Sequence, residues 1–363
     1  MLDKLKEYYD LINNFAVKGI GIDLGTSNTL IYLKGKGIII EEPSVVAIDK
    51  TNRKILAIGT EAKKMVGRTP ENIIAIRPLR DGVISNYEIA ERMIAHFLQL
   101  SDGGIVGFNI SQPKLVIGIP TAATEVQKRA VREASLSAGA KAAYLIQESM
   151  AAALGSGIDI SSPQGNLVVD IGGGTTETAV LALGTIISGS SIRSAGDAMD
   201  ESIKDYIRQV YNISLGEISS EEIKTEYGSA WPLDNEIEFQ IKGQDIVSGL
   251  PKEVDISTIE IREALNQPIE AIITGIKNII EKTPAELITD VMKVGISLTG
   301  GGALLYGIDR RIANATNFPV KVIDDPKKTV IKGISKILEN KDVMSILETS
   351  MQLKHTSKKI SIN

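Results

Sequence analysis

The stretch VVDIGGGTTETAV, Val168 to Val180, decides the fold. An apolar run ends in Asp170, three glycines and two threonines follow, and the chain then turns apolar again. An earlier stretch, GIGIDLGTSNTLIYL, Gly19 to Leu33, has the same build: an apolar run, Asp23, a glycine, small hydroxyl residues and a second apolar run. Short apolar runs bounded by glycine read as buried strands, so each stretch is a strand, a glycine loop and a strand. A loop with few side chains lets several backbone N–H groups turn toward one anion, which makes it a natural phosphate cradle. Asp23 and Asp170 end their strands at the loop mouths, where a carboxylate suits Mg2+ reached through its waters. Hairpin turns with capping aspartates are the plainer alternative. Two such loops, 147 residues apart, weigh against it.

That spacing implies internal duplication at domain scale, which fits 363 residues, since single cores seldom grow past about 250–300. Strand-like runs at Gly19–Asp23, Thr29–Leu33, Gly37–Ile40 and Ser44–Ile48 predict an antiparallel meander, and Lys114–Pro120 predicts a buried strand. Helical periodicity marks Tyr87–Leu100 and Glu125–Ala138. After the small polar connector GIDISSPQG the pattern restarts, with strands at Leu167–Asp170, Ala179–Leu183, Thr185–Ser190 and Val294–Leu298. Helices are expected at Asp197–Tyr211, Ser220–Tyr227, Ile259–Glu281 and Pro284–Lys293. A third cluster, GISLTGGGALLYGIDRRI, has Gly300, Gly301 and Gly302 where the chain would pass close to a flat ring or an α-phosphate. Neither a Walker A sequence nor a strand-bound GxGxxG is present, which leaves a cleft between two similar domains.

Composition narrows the chemistry. Cysteine is absent, so a disulfide, a thiol nucleophile and a thiolate metal site are all ruled out. Only His96 and His355 are present, too few for a histidine metal centre. A net charge of −5 gives no general attraction to nucleic acid or anionic lipid. No apolar run reaches the roughly 20 residues of a spanning helix, and a cytoplasmic protein is the expectation.

The segments GIDLGTSNTLIYLKGKGIIIEEPSVVAID, AIRPLRDGVISNYE, VVDIGGGTTE, SIRSAGDAMDE and LTGGGALL occur in the order of a known family. From about Lys18 to Leu338 the chain resembles the actin and Hsp70 ATPase superfamily and, within it, the MreB family of bacterial actins. The resemblance implies an α/β actin-like ATPase fold: two duplicated RNase H-like halves, with small inserted subdomains, around a cleft for ATP and Mg2+. It implies halves at 18–163 (insert about 48–80) and 164–345 (insert about 201–258), after an amphipathic helix at 1–17 and before a helix end and loose tail at 346–363. Gly25, Thr26, Ser27 and Asn28 would form the first phosphate loop, where the family commonly has Thr-Ala-Asn. Gly172, Gly173, Gly174 and Thr175 would form the second. Gly300, Gly301, Gly302 and Ala303 match the adenosine segment, and Glu221 and Lys224 match a helix bordering adenine and ribose, with an exposed i,i+3 charge pair as the alternative. Glu148 falls on the acidic residue that positions the attacking water, and Thr175 lies where a hydroxyl assists. One departure concerns Ser149, which stands where the family usually has proline; proline fixes φ, whereas serine leaves the approach of the carboxylate freer.

The resemblance also implies self-assembly into filaments, hydrolysis coupled to them, and contact with the inner face of the cell membrane, with related paralogues as further partners and no nucleic acid. Ile105, Val106 and Phe108 in a glycine-flanked loop, and the stripe Leu2, Leu5, Tyr9 and Ile12, are the candidate membrane surfaces. A small-molecule kinase on the same fold is the alternative. A chaperone ATPase is disfavoured, because the sequence leaves no room for a peptide-binding domain.

Overall fold

The computed structural model describes residues 19–101, 112–341 and 344. The helix expected at 1–17, the loop with Ile105, Val106 and Phe108, and the tail at 346–363 lie outside the described residues.

Strands β1 (Gly19–Leu24), β2 (Asn28–Leu33) and β3 (Gly37–Pro43) form an antiparallel meander. The run Ser44–Ile48 does not continue it, contrary to the pattern. Pro43 ends β3, and Ser44 turns back under the first glycine loop, its N–H donating to Ser27 O at 2.9 Å and its hydroxyl to Gly25 O at 2.7 Å. The chain then enters a small sheet of β4 (Val46–Asp49), β5 (Ile55–Ile58) and β6 (Ile73–Ile76) with helix α1 (Thr60–Met65). A short hairpin, β7 (Leu79–Arg80) and β8 (Val83–Ile84), leads to α2 (Tyr87–Ser101). Then come β9 (Lys114–Ile119), α3 (Glu125–Ser137), β10 (Ala142–Gln147) and α4 (Glu148–Gly155). A reciprocal capping box, Thr124 with Gln127, starts α3.

The second half runs β11 (Asn166–Ile171), β12 (Thr176–Ala182), β13 (Thr185–Ile192), α5 (Gly196–Tyr211), β14 (Ile213–Ser214) and α6 (Glu217–Tyr227). Next come β15 (Glu238–Asp245), β16 (Pro251–Ser257), α7 (Thr258–Ala264) and α8 (Asn266–Lys282). It closes with α9 (Ala285–Val294), β17 (Ile296–Thr299), a 3-10 turn at Gly301–Leu304, α10 (Ile308–Thr316), β18 (Val320–Val322) and α11 (Thr329–Glu339). The single helix expected at Ile259–Glu281 is two, α7 and α8. Pro268 has no N–H for the Ala264 carbonyl and its ring crowds that turn, so the first helix stops there.

Duplication is explicit in the sheets. Their orders, β3-β2-β1-β9-β10 and β13-β12-β11-β17-β18, match strand for strand, with the first three antiparallel and the last two pairs parallel. Each sheet has its own outer core: Ile20, Ile22 and Leu24 against Met93 and Phe97 in the first half, Leu167, Val169 and Ile171 against Ile203 and Ile272 in the second. The inner faces share a third core, in which Leu30, Val116 and Val168 meet Ala151 and Ala152 of α4 and Ile331 and Ile334 of α11. Full burial of each larger apolar side chain stabilises by about 1.5–3 kcal/mol. The two shared helices cross closely: a Cβ on Gly333 would lie 1.8 Å from Ala151 O, and one on Gly155 1.9 Å from Thr329 O. Although α11 ends the second half in sequence, Ile334 and Leu338 cover Gly21 of β1, and Tyr32 Oη donates to Glu339 Oε1 at 2.9 Å.

Candidate functional site

Both glycine loops open on one cleft of about 700 Å³ between the halves. Asp23, Gly25, Thr26, Ser27 and Asn28 line it from β1 and β2, and Asp170, Gly172, Gly173, Gly174 and Thr175 from β11 and β12. Glu148 reaches it from the first turn of α4, Glu221 and Lys224 from α6, and Gly300, Gly301 and Gly302 from the turn after β17. Ala303 does not line the cleft; it is buried in the outer core of the second half.

The loops interlock. A Cβ on Gly173 would lie 2.0 Å from Ser27 Oγ and one on Gly174 2.6 Å from Thr26 Oγ1, so the second loop is bare because the first loop's side chains occupy that space. Among the described residues the N–H groups of Thr26, Ser27, Gly173, Gly174, Gly301 and Gly302 donate to no acceptor in the chain. Unpaired N–H groups converging from three turns form a site for an anion. Thr26 Oγ1 accepts from Gly82 N at 2.9 Å, so the hairpin β7–β8 closes over the first loop.

Under the loops lie four carboxylates. Burial pushes Asp23 up to about 7. Burial, with Asp23 and Glu177 alongside, pushes Asp170 up to about 8. Glu148 is held well above the usual carboxylate range, by burial first and then by Glu177, Asp23 and Asp170. Burial also raises Glu177, whose Oε1 has no hydrogen-bond partner among the described residues. Such mutual repulsion favours a cation, and an all-oxygen donor set fits magnesium. Among the described residues no three acidic or histidine groups are placed to grip a metal directly.

The charged pair on α6 is engaged within the protein. Lys224 Nζ lies 2.8 Å from Asp200 Oδ1 and donates to Gly196 O at 2.9 Å. Burial, opposed by Lys224, leaves Asp200 raised to about 6. Glu221 pairs with Lys63 of α1 at 2.7 Å, and Arg77 Nε donates to Glu217 Oε1 at 2.7 Å, so two ion pairs join the small inserts across the mouth of the cleft.

Several lining residues carry no role in the sequence reading: Arg77, Gly196, Asp197, Asp200, Tyr227, Tyr306 and Lys327. Gly196, Asp197 and Asp200 belong to SIRSAGDAMDE, whose resemblance was a usable signal. Glu177 had one too, as a lone carboxylate in a strand buried along its whole length.

A family model described as MreB/Mbl protein matches residues 17–346. The cell shape-determining protein Mbl of Bacillus cereus is 47% identical over 325 residues, 90% of this chain and 97% of that protein. The crystal structure of MreB 5 of Spiroplasma citri bound to AMPPNP is similar at a TM-score of 0.86 and 37% identity, covering 92% of this chain and 99% of the other. The MamK double helical filament, at 22% identity, has a TM-score of 0.73 over 89% of this chain and 99% of the other, a likeness of fold alone.

Proposed function

Because the chain belongs to the MreB/Mbl family of actin-like proteins, we propose that it binds Mg-ATP in the cleft, assembles into filaments and hydrolyses the nucleotide slowly. The observation that carries this reading is the pair of interlocked loops, whose N–H groups are without acceptors and which line one cleft together with buried carboxylates. It is supported by the relative from Spiroplasma citri, which was crystallised with AMPPNP. Membership of this family disfavours the kinase alternative.

Phosphate oxygens would take the unpaired N–H groups of both loops, with Ser27 and Thr175 supplying hydroxyls. The turn Gly300–Gly302 leaves open space beside Gly301, which suits the nucleoside. Asp23 and Asp170 would hold magnesium through its waters; when bound, the ion offsets phosphate charge and repulsion among the acids. Glu148 accepts a hydrogen bond from the attacking water and fixes its direction, so its part is positional. Thr175 would assist through its hydroxyl.

Filaments would lie on the inner face of the membrane and organise cell shape, with Ile105, Val106 and Phe108 repeated at every subunit so that weak contacts add. Pelleting with and without ATP, together with phosphate release, tests the reading. ATP-dependent pelleting with slow release is expected. A folded protein that neither binds ATP in calorimetry nor pellets overturns it. Flotation with liposomes tests the membrane contact separately: Val106→Ser with Phe108→Ser should stop flotation and leave pelleting intact.

A further inference from the structure

Below the cleft a run of hydrogen bonds joins the two halves and ends on the helix that carries Glu148. Thr121, in the turn after β9, is its centre. Its N–H donates to Glu177 Oε2 on β12 at 2.8 Å. Its methyl meets β13, where a Cβ on Gly189 would lie 3.1 Å from Thr121 Cγ2. On the other side its hydroxyl pairs with Ser149 Oγ at 2.7 Å, and its carbonyl accepts from Gln147 Nε2 at 3.3 Å. Gln147 and Ser149 flank Glu148 in sequence, so both sides of the cap and first turn of α4 are tied to Thr121. Ser149 is 0% exposed and Glu177 1%, so two of the four partners are shielded from water, while Thr121 and Gln147 are half-buried.

Ser149 stands where the family resemblance described above implies a proline. Proline would stiffen this turn through its ring and offers no hydroxyl. Serine gives up the ring and gains the bond to Thr121. We propose that Ser149, Thr121 and Glu177 are positioning residues for ATP hydrolysis, which make the orientation of Glu148 depend on how the second half is seated; this rests on the hydrolytic reading above. The first turn of α4 then moves with β12 and β13, and Glu148 faces the phosphates only when the halves are closed on each other.

Thr121→Val keeps the methyl and the N–H but removes the hydroxyl, and Thr121→Ser keeps the hydroxyl. Phosphate release and ATP affinity are read for both, in the parent and in Ser149→Pro. Thr121→Val should lower kcat about fivefold or more, with KM and melting temperature nearly unchanged, because a misaligned water-orienting group acts on the transition state. Thr121→Ser should retain the parental rate. In the Ser149→Pro background Thr121→Val should have no further effect, its partner being gone. A parental rate in Thr121→Val, or an equal fall in both backgrounds, overturns the inference while the parent still hydrolyses. A parent that binds ATP and releases no phosphate overturns the hydrolytic reading and this inference with it.

Discussion

The two glycine loops occupy equivalent places in matching sheets, yet their sequences are DLGTSN and DIGGGT, and the difference is complementary. The first contributes side chains: Thr26 takes the N–H of Gly82, and Ser27 approaches Asp197 at 3.4 Å. The second contributes the space those side chains fill, and Gly300 closes it from behind, where a Cβ would lie 2.3 Å from Asp170 Oδ1. Duplication supplied one loop twice, and closing the cleft required the copies to diverge in opposite directions.

The sharpest test of that asymmetry is the pair of aspartates. Asp170, covered by Gly300 and flanked by Asp23 and Glu177, should matter more than Asp23. We expect Asp170→Ala to lower Mg-ATP affinity by on the order of 1000-fold and Asp23→Ala by about tenfold, measured by calorimetry on folded protein. Equal losses would mean that the halves serve alike. Next comes the interlock itself. Gly173→Ala should reduce affinity about 100-fold, and adding Ser27→Gly should restore most of it by returning the space. Failure of that rescue would show that Gly173 is needed for its backbone freedom and not for clearance.

Glu148→Ala should bind ATP and pellet as the parent does, with phosphate release at least about tenfold slower, roughly 1.4 kcal/mol in the barrier. Parental release would remove Glu148 from the chemistry. The smallest effect concerns pH. Asp23 and Asp170 are raised to about 7 and about 8 in the folded protein, from an ordinary value of 3.8. Between these limits the folded state binds more protons than the unfolded state, so stability present at low pH is lost as pH rises through 7 and 8. Without nucleotide and divalent cation the melting temperature should fall between pH 6 and pH 8.5, and Mg-ATP should flatten that slope. A rising melting temperature would show that the carboxylates are not crowded in solution.

Both halves and their loops were legible because buried strands ending in aspartate and glycine leave a dense local signal. The small inserts were not. The runs Ile55–Ile58 and Ile73–Ile76 are short and half-exposed, and Ser44 leaves the meander because of hydrogen bonds to Ser27 and Gly25 that no periodicity encodes. Lys224 and Glu221 were legible as cleft residues but not as members of ion pairs, since Asp200 and Lys63 come from other elements. Thr121 has no pattern of its own; its place depends on Ser149, which meets it through the packing of α4 within the first half, and on Glu177, which meets it only after the halves dock.

The position of α11 bears on how the chain is made. The inner face of the first sheet is covered by Ile334 and Leu338, which emerge from the ribosome about 200 residues after β9, a lag of roughly 10–40 s at about 5–20 residues per second. Throughout that interval the nascent first half has only α4 for the inner face of its sheet, and the part that Ile334 and Leu338 later cover stays open. It is therefore a natural client for holding chaperones, and truncation before Thr329 would release a chain prone to aggregate instead of an independent domain.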